Sequence, residues 1–385
     1  MNNRIIYFFA LLLGLQCMVA CCDKCDEPPH DKPVMRHTAL IYMMAENSLS
    51  DPLNFDTENI NAMRRAIEDN TIDGRLLIFI DEYNRKPCLL EISKKNKSSV
   101  IDTLITYDNC LSTDTTTIRQ VMDDVIKHAP ADSYGLFIWT HASGWLPQNR
   151  FYAPSRQNAT TSIGREGSKK LTIDVDNFAK ALQPYHFDYI LFDACLMSCV
   201  EVAYELRDVC DHIIATPTET MGAGFPYYEI VPLLYHEEIN HKQICVEYYN
   251  KYISPASSSN TGGTITLIET KHLEELADIC HNIVEGRDQE ILDINLKDIQ
   301  YYDNRPPHVL YDLAHYMQQL ATPDEYIQLT ETLNKVVPYK AASRRFLNIT
   351  IDTYCGLSSY IPGSSNDSIV EEFYNNLQWS QRIYN

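Results

Sequence analysis

Basic residues are in short supply. The 385-residue chain has 32 Lys and Arg against 52 Asp and Glu, a formal net charge of −20. Nucleic acid is thereby disfavoured as a partner, because phosphate backbones are held by clustered Lys and Arg, and a cationic substrate is favoured. Long hydrophobic runs are missing too. The apolar stretch at residues 5–15 falls well short of the ~20 residues a membrane-spanning helix needs. The twelve cysteines show no obvious disulfide framework, and their spacing leaves open whether Cys88, Cys110, Cys210, Cys245, Cys280 and Cys355 pair. Cys22-Asp23-Lys24-Cys25 has zinc or redox spacing, but no second pair completes a metal site. No EF-hand-type loop is present, so calcium, although possible, is not indicated, and no metal or other cofactor is required. No internal repeat appears. With 45% hydrophobic and 22% charged residues, the remainder has the balance of a globular protein.

The N-terminus reads as an address. Arg4, the apolar stretch and then Met18-Val19-Ala20-Cys21 predict an export signal over residues 1–20. Small residues before a cysteine resemble a bacterial lipobox, in which Cys21 would be lipidated, with Cys22 as a second candidate. Residues 21–36, polar and rich in Asp, Lys and Pro, read as a flexible tether. The expected location is outside the cytoplasm, periplasmic or cell-surface, held to a membrane by the N-terminal lipid.

From residue 38 buried strands alternate with amphipathic helices. Strands are expected at 39–44, 76–80, 136–139, 189–192, 213–215 and 264–268, the last closing the core sheet. The pieces at 88–92 and 99–104 read as an antiparallel excursion. Helices are expected at 53–68, 115–129, 173–182 and from 198, each with one apolar face. Residues 146–170, rich in Pro, Asn, Ser, Gly and Arg, read as a long irregular loop. From 274 the chain becomes mostly helical, through 312–320, 323–337 and 369–377, with strands at 346–351 and 356–361. This order predicts an α/β fold: a mostly parallel sheet with helices on both faces. The boundaries read as a core over residues 37–270 and a largely helical C-terminal extension, 271–385, packed on it.

Two short runs carry chemistry. Ile138-Trp139-Thr140-His141-Ala142-Ser143-Gly144-Trp145 and Ile190-Leu191-Phe192-Asp193-Ala194-Cys195-Leu196-Met197 each end an apolar run in one reactive side chain followed by small residues. If both runs are parallel strands, His141 and Cys195 stand just past strand C-termini, on the rim where open α/β sheets bind ligands. A thiol attacks carbonyl carbon as thiolate and needs a neighbouring base, and an imidazole suits that task. The backbone N–H groups of Cys195 and of Ala142 or Ser143 are candidates for an oxyanion site. Taken singly, each residue has a plainer reading, a packed core cysteine and a hydrogen-bonded turn histidine.

Together these runs resemble the clostripain family of cysteine peptidases, within the wider group that includes caspases, gingipains and legumain. His141-Ala142-Ser143-Gly144-Trp145 and Asp193-Ala194-Cys195-Leu196-Met197 stand in the order that group uses, and Gly356-Leu357-Ser358-Ser359-Tyr360-Ile361-Pro362 is similar to a late strand motif of clostripain-like proteins. One departure is Ala142, where the wider group usually has Gly; a positive φ there would strain Ala. The resemblance implies a caspase-like fold and an endopeptidase that cleaves after Arg or Lys through Cys195 and His141. It makes Asp193 part of an acidic pocket, the alternative being a cap on the next helix. Glu219 is the second pocket candidate among rim carboxylates that also include Glu46, Asp81 and Glu82. Peptides or proteins with basic residues are the implied substrates. The resemblance further implies a precursor cut between the His and Cys strands, with Arg150, Arg156, Arg165, Lys169 and Lys170 as possible sites. Two rivals remain open at this stage: a catalytically silent surface binding lipoprotein with the same fold, and a thiol hydrolase of a non-peptide amide.

Overall fold

The computed structural model describes residues 34–108, 110–148, 162–167, 171–254 and 262–385, and residues 34–385 form one compact unit. The signal, Cys21, Cys22 and the processing candidates Arg150, Arg156, Lys169 and Lys170 lie outside the described residues. Among the described residues no helix is long and apolar enough to cross a membrane.

In chain order the strands are β1 (Met35–Met44), β2 (Arg75–Asp81), β3 (Cys88–Lys95), β4 (Ser98–Thr106), β5 (Ala131–Trp139), β6 (Ile163–Glu166), β7 (Leu171–Ile173), β8 (Phe187–Asp193), β9 (Cys210–Ala215), β10 (Thr264–Glu269), β11 (Tyr311–Asp312), β12 (Tyr339–Ala342) and the two-residue pieces β13 (Arg345–Phe346), β14 (Ile349–Thr350) and β15 (Ser358–Ser359), which are all that the strands expected at 346–351 and 356–361 amount to. The main sheet has nine strands in the order β12-β10-β9-β8-β5-β1-β2-β3-β4. Its centre, β9-β8-β5-β1-β2, is parallel, and the strands at both flanks run antiparallel. This is the mostly parallel, caspase-like sheet expected, antiparallel excursion included.

The helices used below are α1 (Phe55–Asp69), α2 (Thr115–His128), α3 (Val175–Leu182), α4 (Val200–Glu205), α5 (Tyr227–Ile230), α6 (His241–Tyr252) and α7 (Leu273–Val284). Central strands buried on both faces need continuous apolar sequence, and alternate residues serve opposite layers. Leu40, Tyr42 and Met44 join one core with α2, α3, α4 and α7, whereas Ala39, Ile41 and Met43 join the other with α1, α5 and α6.

Two expectations need correction. β10 does not close the sheet: β12, from the C-terminal region, pairs antiparallel with it. Nor is the stretch 146–170 irregular throughout, since β6 pairs with β7 and Ala142 bridges Ile163.

Candidate active site

β5 and β8 are neighbours in parallel register, with Trp139 opposite Asp193. Thr140 N–H donates to the Asp193 carbonyl at 3.3 Å, which extends the pairing past both strand ends. Parallel strands lie about 4.8 Å apart. His141 and Cys195 are each two residues beyond that paired position, so the register brings both turns to one rim of the sheet.

The turn after β8 is held from several sides. Leu196 sits at φ 64°, a left-handed conformation costly for a branched side chain. Its N–H donates to Thr218 O at 2.9 Å, and Ser198 N–H donates to Thr216 O at 3.1 Å. The late segment braces the same turn. Ser198 Oγ donates to Gly356 O at 2.7 Å, Ser358 N–H donates to Ser198 O at 3.0 Å, and Tyr360 N–H donates to Glu201 Oε1 at 2.7 Å. Gly356 has φ 97°, and a Cβ there would come within 2.9 Å of Val337. Its glycine is therefore required by both conformation and space.

Both reactive groups are half-buried and neutral in this conformation. Burial, followed by the charge of Glu219, pushes the Cys195 thiol up to about 12, although the Thr220 N–H 3.3 Å from Sγ pulls the other way. Burial, followed by the Arg165 guanidinium, lowers His141 to about 4. The His141 Nε2 atom lies 3.0 Å from Ser48 Oγ. Ser48 and Thr220 are partners that sequence reasoning missed, and each sits in a polar turn with no motif to mark it.

The oxyanion candidates separate. Ser143 N–H donates to Ser162 O at 3.1 Å, and Gly164 N–H donates to His141 O at 3.0 Å. In that antiparallel bridge the N–H of Ala142 is not used. Ala142 also escapes the conformation that would strain it, because the positive φ of this turn falls on Gly144, at 70°.

Asp193 is buried. Its Oδ2 accepts Phe225 N–H at 3.1 Å and Tyr227 O–H at 2.9 Å. Gly224, at φ 68°, lies so close that an added Cβ would collide with that oxygen. Burial raises the Asp193 pKa to about 6, opposed by these two donors and by Lys251. It does not cap the following helix, whose N-cap position is Cys199. Glu219 is half-buried, its pKa raised by burial while Arg305 opposes the shift. Arg165 lies in β6, half-buried. Glu46 backs that segment, its carbonyl accepting Gly167 N–H at 3.1 Å. Asp81 ends β2 and Glu82 follows it, two strands from β5.

The described site can supply a thiol, an imidazole, the backbone N–H groups of Ala142 and Cys195 and two carboxylates, all on the C-terminal rim of the sheet. The family model for the clostripain family matches residues 41–384. A solved structure of an inactive zymogen C11 protease from Parabacteroides distasonis is similar, at 32% identity and TM-score 0.81, over 92% of this chain and all of that one. A secreted C11 cysteine protease from Bacteroides thetaiotaomicron, solved in complex with an irreversible peptide inhibitor, is 28% identical with TM-score 0.75 over 90% of this chain and 98% of that one. A clostripain from Bacteroides thetaiotaomicron, in complex with the peptide inhibitor BTN-VLTK-AOMK, is 27% identical with TM-score 0.50 over 56% of this chain and 96% of that one. No curated protein matches the chain.

Proposed function

Because the chain belongs to the clostripain family of cysteine proteases, we propose that it hydrolyses peptide bonds after Arg or Lys, with Cys195 as nucleophile and His141 as general acid and base. The reading rests above all on the matched register of β5 and β8, which sets a thiol and an imidazole equally far past two adjacent strand ends. In the reaction His141 takes the thiol proton and the thiolate attacks the scissile carbonyl carbon. The backbone N–H groups of Cys195 and Ala142 donate to the developing oxyanion. As the C–N bond breaks, His141 returns the proton to the leaving amine, leaving a thioester. Water, deprotonated by His141, then releases the acid and the thiol.

A basic side chain would be recognised by carboxylate charge. Glu219 is the accessible partner, and Asp193 lies deeper, beneath the 223–227 loop. A carboxylate accepts either cation and can grip a guanidinium through two hydrogen bonds. The peptide in the inhibitor bound by the Bacteroides clostripain, VLTK, closes on a lysine, in keeping with this class.

The neutral pair described above suits a precursor. A cut between the His and Cys strands, within 146–170, would free this rim to rearrange so that the imidazole exchanges Ser48 for the thiol. Export and attachment to a membrane through Cys21 complete the proposal; a related protease is described as secreted.

Cleavage of Arg-, Lys- and Leu-terminated peptides by the wild type and by Cys195→Ala tests it. Wild-type turnover confined to the basic peptides, with a loss of at least ~10³-fold in the variant, is expected. Equal rates for the two proteins would end the assignment, and a preference for Leu would remove the roles of Asp193 and Glu219.

A further inference from the structure

β8 carries chemistry at both ends. Cys195 follows its C-terminus, while Asp188 is its second residue, at the opposite rim. The neighbouring strand β9 presents His212 beside it, and α6 brings His241, its first residue. His212 Nδ1 lies 3.6 Å from Asp188 Oδ1, and His241 Nε2 lies 3.5 Å from Asp188 Oδ2. One ligand atom from each residue falls within 4.8 Å of the others.

These separations are too long for good hydrogen bonds. At 3.6 and 3.5 Å they lie slightly above the spacing of about 3.3–3.4 Å between donor atoms that each lie ~2.0–2.1 Å from a tetrahedral ion, close enough for a small side-chain adjustment to complete the site. The second sign is an orphaned atom. His241 Nε2 is buried, lies 3.5 Å from Asp188 Oδ2 and has no hydrogen-bond partner; its side chain is only 11% exposed. The third is placement. The two imidazoles stack with centroids 4.1 Å apart, so both rings reach the same carboxylate side by side. A single divalent cation would satisfy the carboxylate and both lone pairs.

We propose that Asp188, His212 and His241 form a binding site for a divalent late transition metal of the zinc class, at the rim opposite the thiol. Two imidazoles and one carboxylate suit that class, whereas calcium and magnesium demand oxygen ligands. All three residues keep some solvent exposure, so water can complete the coordination shell. A strand of seven residues rises ~20 Å, which puts the metal far from the reacting atoms. Its role is structural: it ties α6 to β8 and β9 beneath the sheet. His212 Nδ1 also lies 3.1 Å from Asp188 O. In the metal-free chain that nitrogen donates to the carbonyl, so binding requires the tautomer with the proton on Nε2 and the loss of this hydrogen bond.

The test uses the full chain carrying Cys195→Ala, so that the thiol neither ligates metal nor cuts the protein. One equivalent of cobalt(II) should give visible d–d bands that disappear on His241→Ala, without a thiolate charge-transfer band at this site. Zinc affinity, measured against a chromophoric chelator, should fall ~100-fold or more in His241→Ala and His212→Ala, beyond the loss typical of outer-shell changes. Zinc, but not calcium or magnesium, should raise the thermal midpoint of the parent and leave both variants unmoved. Should His241→Ala not fold, as judged by near-ultraviolet circular dichroism, His241→Gln and Asp188→Asn replace it. Zinc affinity equal in parent and variants, or no zinc-dependent shift in the parent, would overturn the site.

Discussion

The protonation state of one sulfur governs the reactivity of this chain in the conformation described. With the Cys195 thiol pushed to about 12 by burial and by Glu219, its thiolate fraction at neutral pH is roughly a thousandfold below that of an ordinary cysteine. His141, pushed down to about 4 by burial and by Arg165, is a neutral imidazole and offers the sulfur no cation to favour the thiolate. Iodoacetamide labelling of the uncut chain, read peptide by peptide by mass spectrometry, should therefore find Cys195 modified about 10³-fold more slowly than a free thiol at the same pH. Labelling at the free-thiol rate would mean that the pair is already activated. At this scale the sequence was informative about identity and silent about partners. His141, Cys195 and Asp193 end apolar strands and stand out by pattern. Ser48 and Thr220 sit in loops and Tyr227 opens the short helix α5, where nothing local marks them, because their contacts arise only when distant segments converge.

Individual elements add a pH dependence unrelated to catalysis. β6 docks on the core through buried Glu166, whose carboxylate accepts Ser112 N–H and Thr113 N–H, each at 3.0 Å, and the Thr113 hydroxyl at 2.8 Å. Asp81, at the end of β2, faces the same carboxylate. Burial first, and then Glu166, push its pKa up to about 8. In an unfolded chain an Asp ionises near 3.9. Between about pH 4 and pH 8 the folded state therefore holds a proton that the unfolded state has lost, so this residue lowers stability as pH rises through that window. Asp81→Asn should remove that slope and leave the protein more stable than wild type at pH 8 by about 1 kcal/mol or more, with little difference below pH 4. Urea denaturation at several pH values checks it, and a variant that keeps the parent's slope would refute the shared proton. β6 and β12 were illegible in sequence for related reasons. Each is four residues long and lacks an apolar run, so pairing with a neighbour, not propensity, makes them strands.

For the molecule as a whole, strand–helix alternation carried the prediction far, since parallel strands buried on both faces must be written in continuous apolar residues. What alternation could not convey is how closely the C-terminal part is joined to the rest. Leu273, Leu276, Cys280, Tyr360, Tyr374 and Trp379 are fully buried in the same core as Ile190 and Phe192 of β8. β12 pairs with β10, and the 356–360 segment holds the turn that carries Cys195. Ending the chain at residue 270 would expose that apolar face, leave an edge of β10 unpaired and free the Ser198 and Glu201 groups buried against the late segment. Losing even a few large buried side chains costs ~2–5 kcal/mol each, against a total stability of roughly 5–15 kcal/mol for a folded domain. The truncated chain should therefore lose its near-ultraviolet circular dichroism and its cooperative unfolding transition. Should it instead unfold cooperatively near the temperature of the full chain, residues 37–270 would be a self-sufficient domain, and the brace from the late segment would have to act on the Cys195 turn without contributing to the fold.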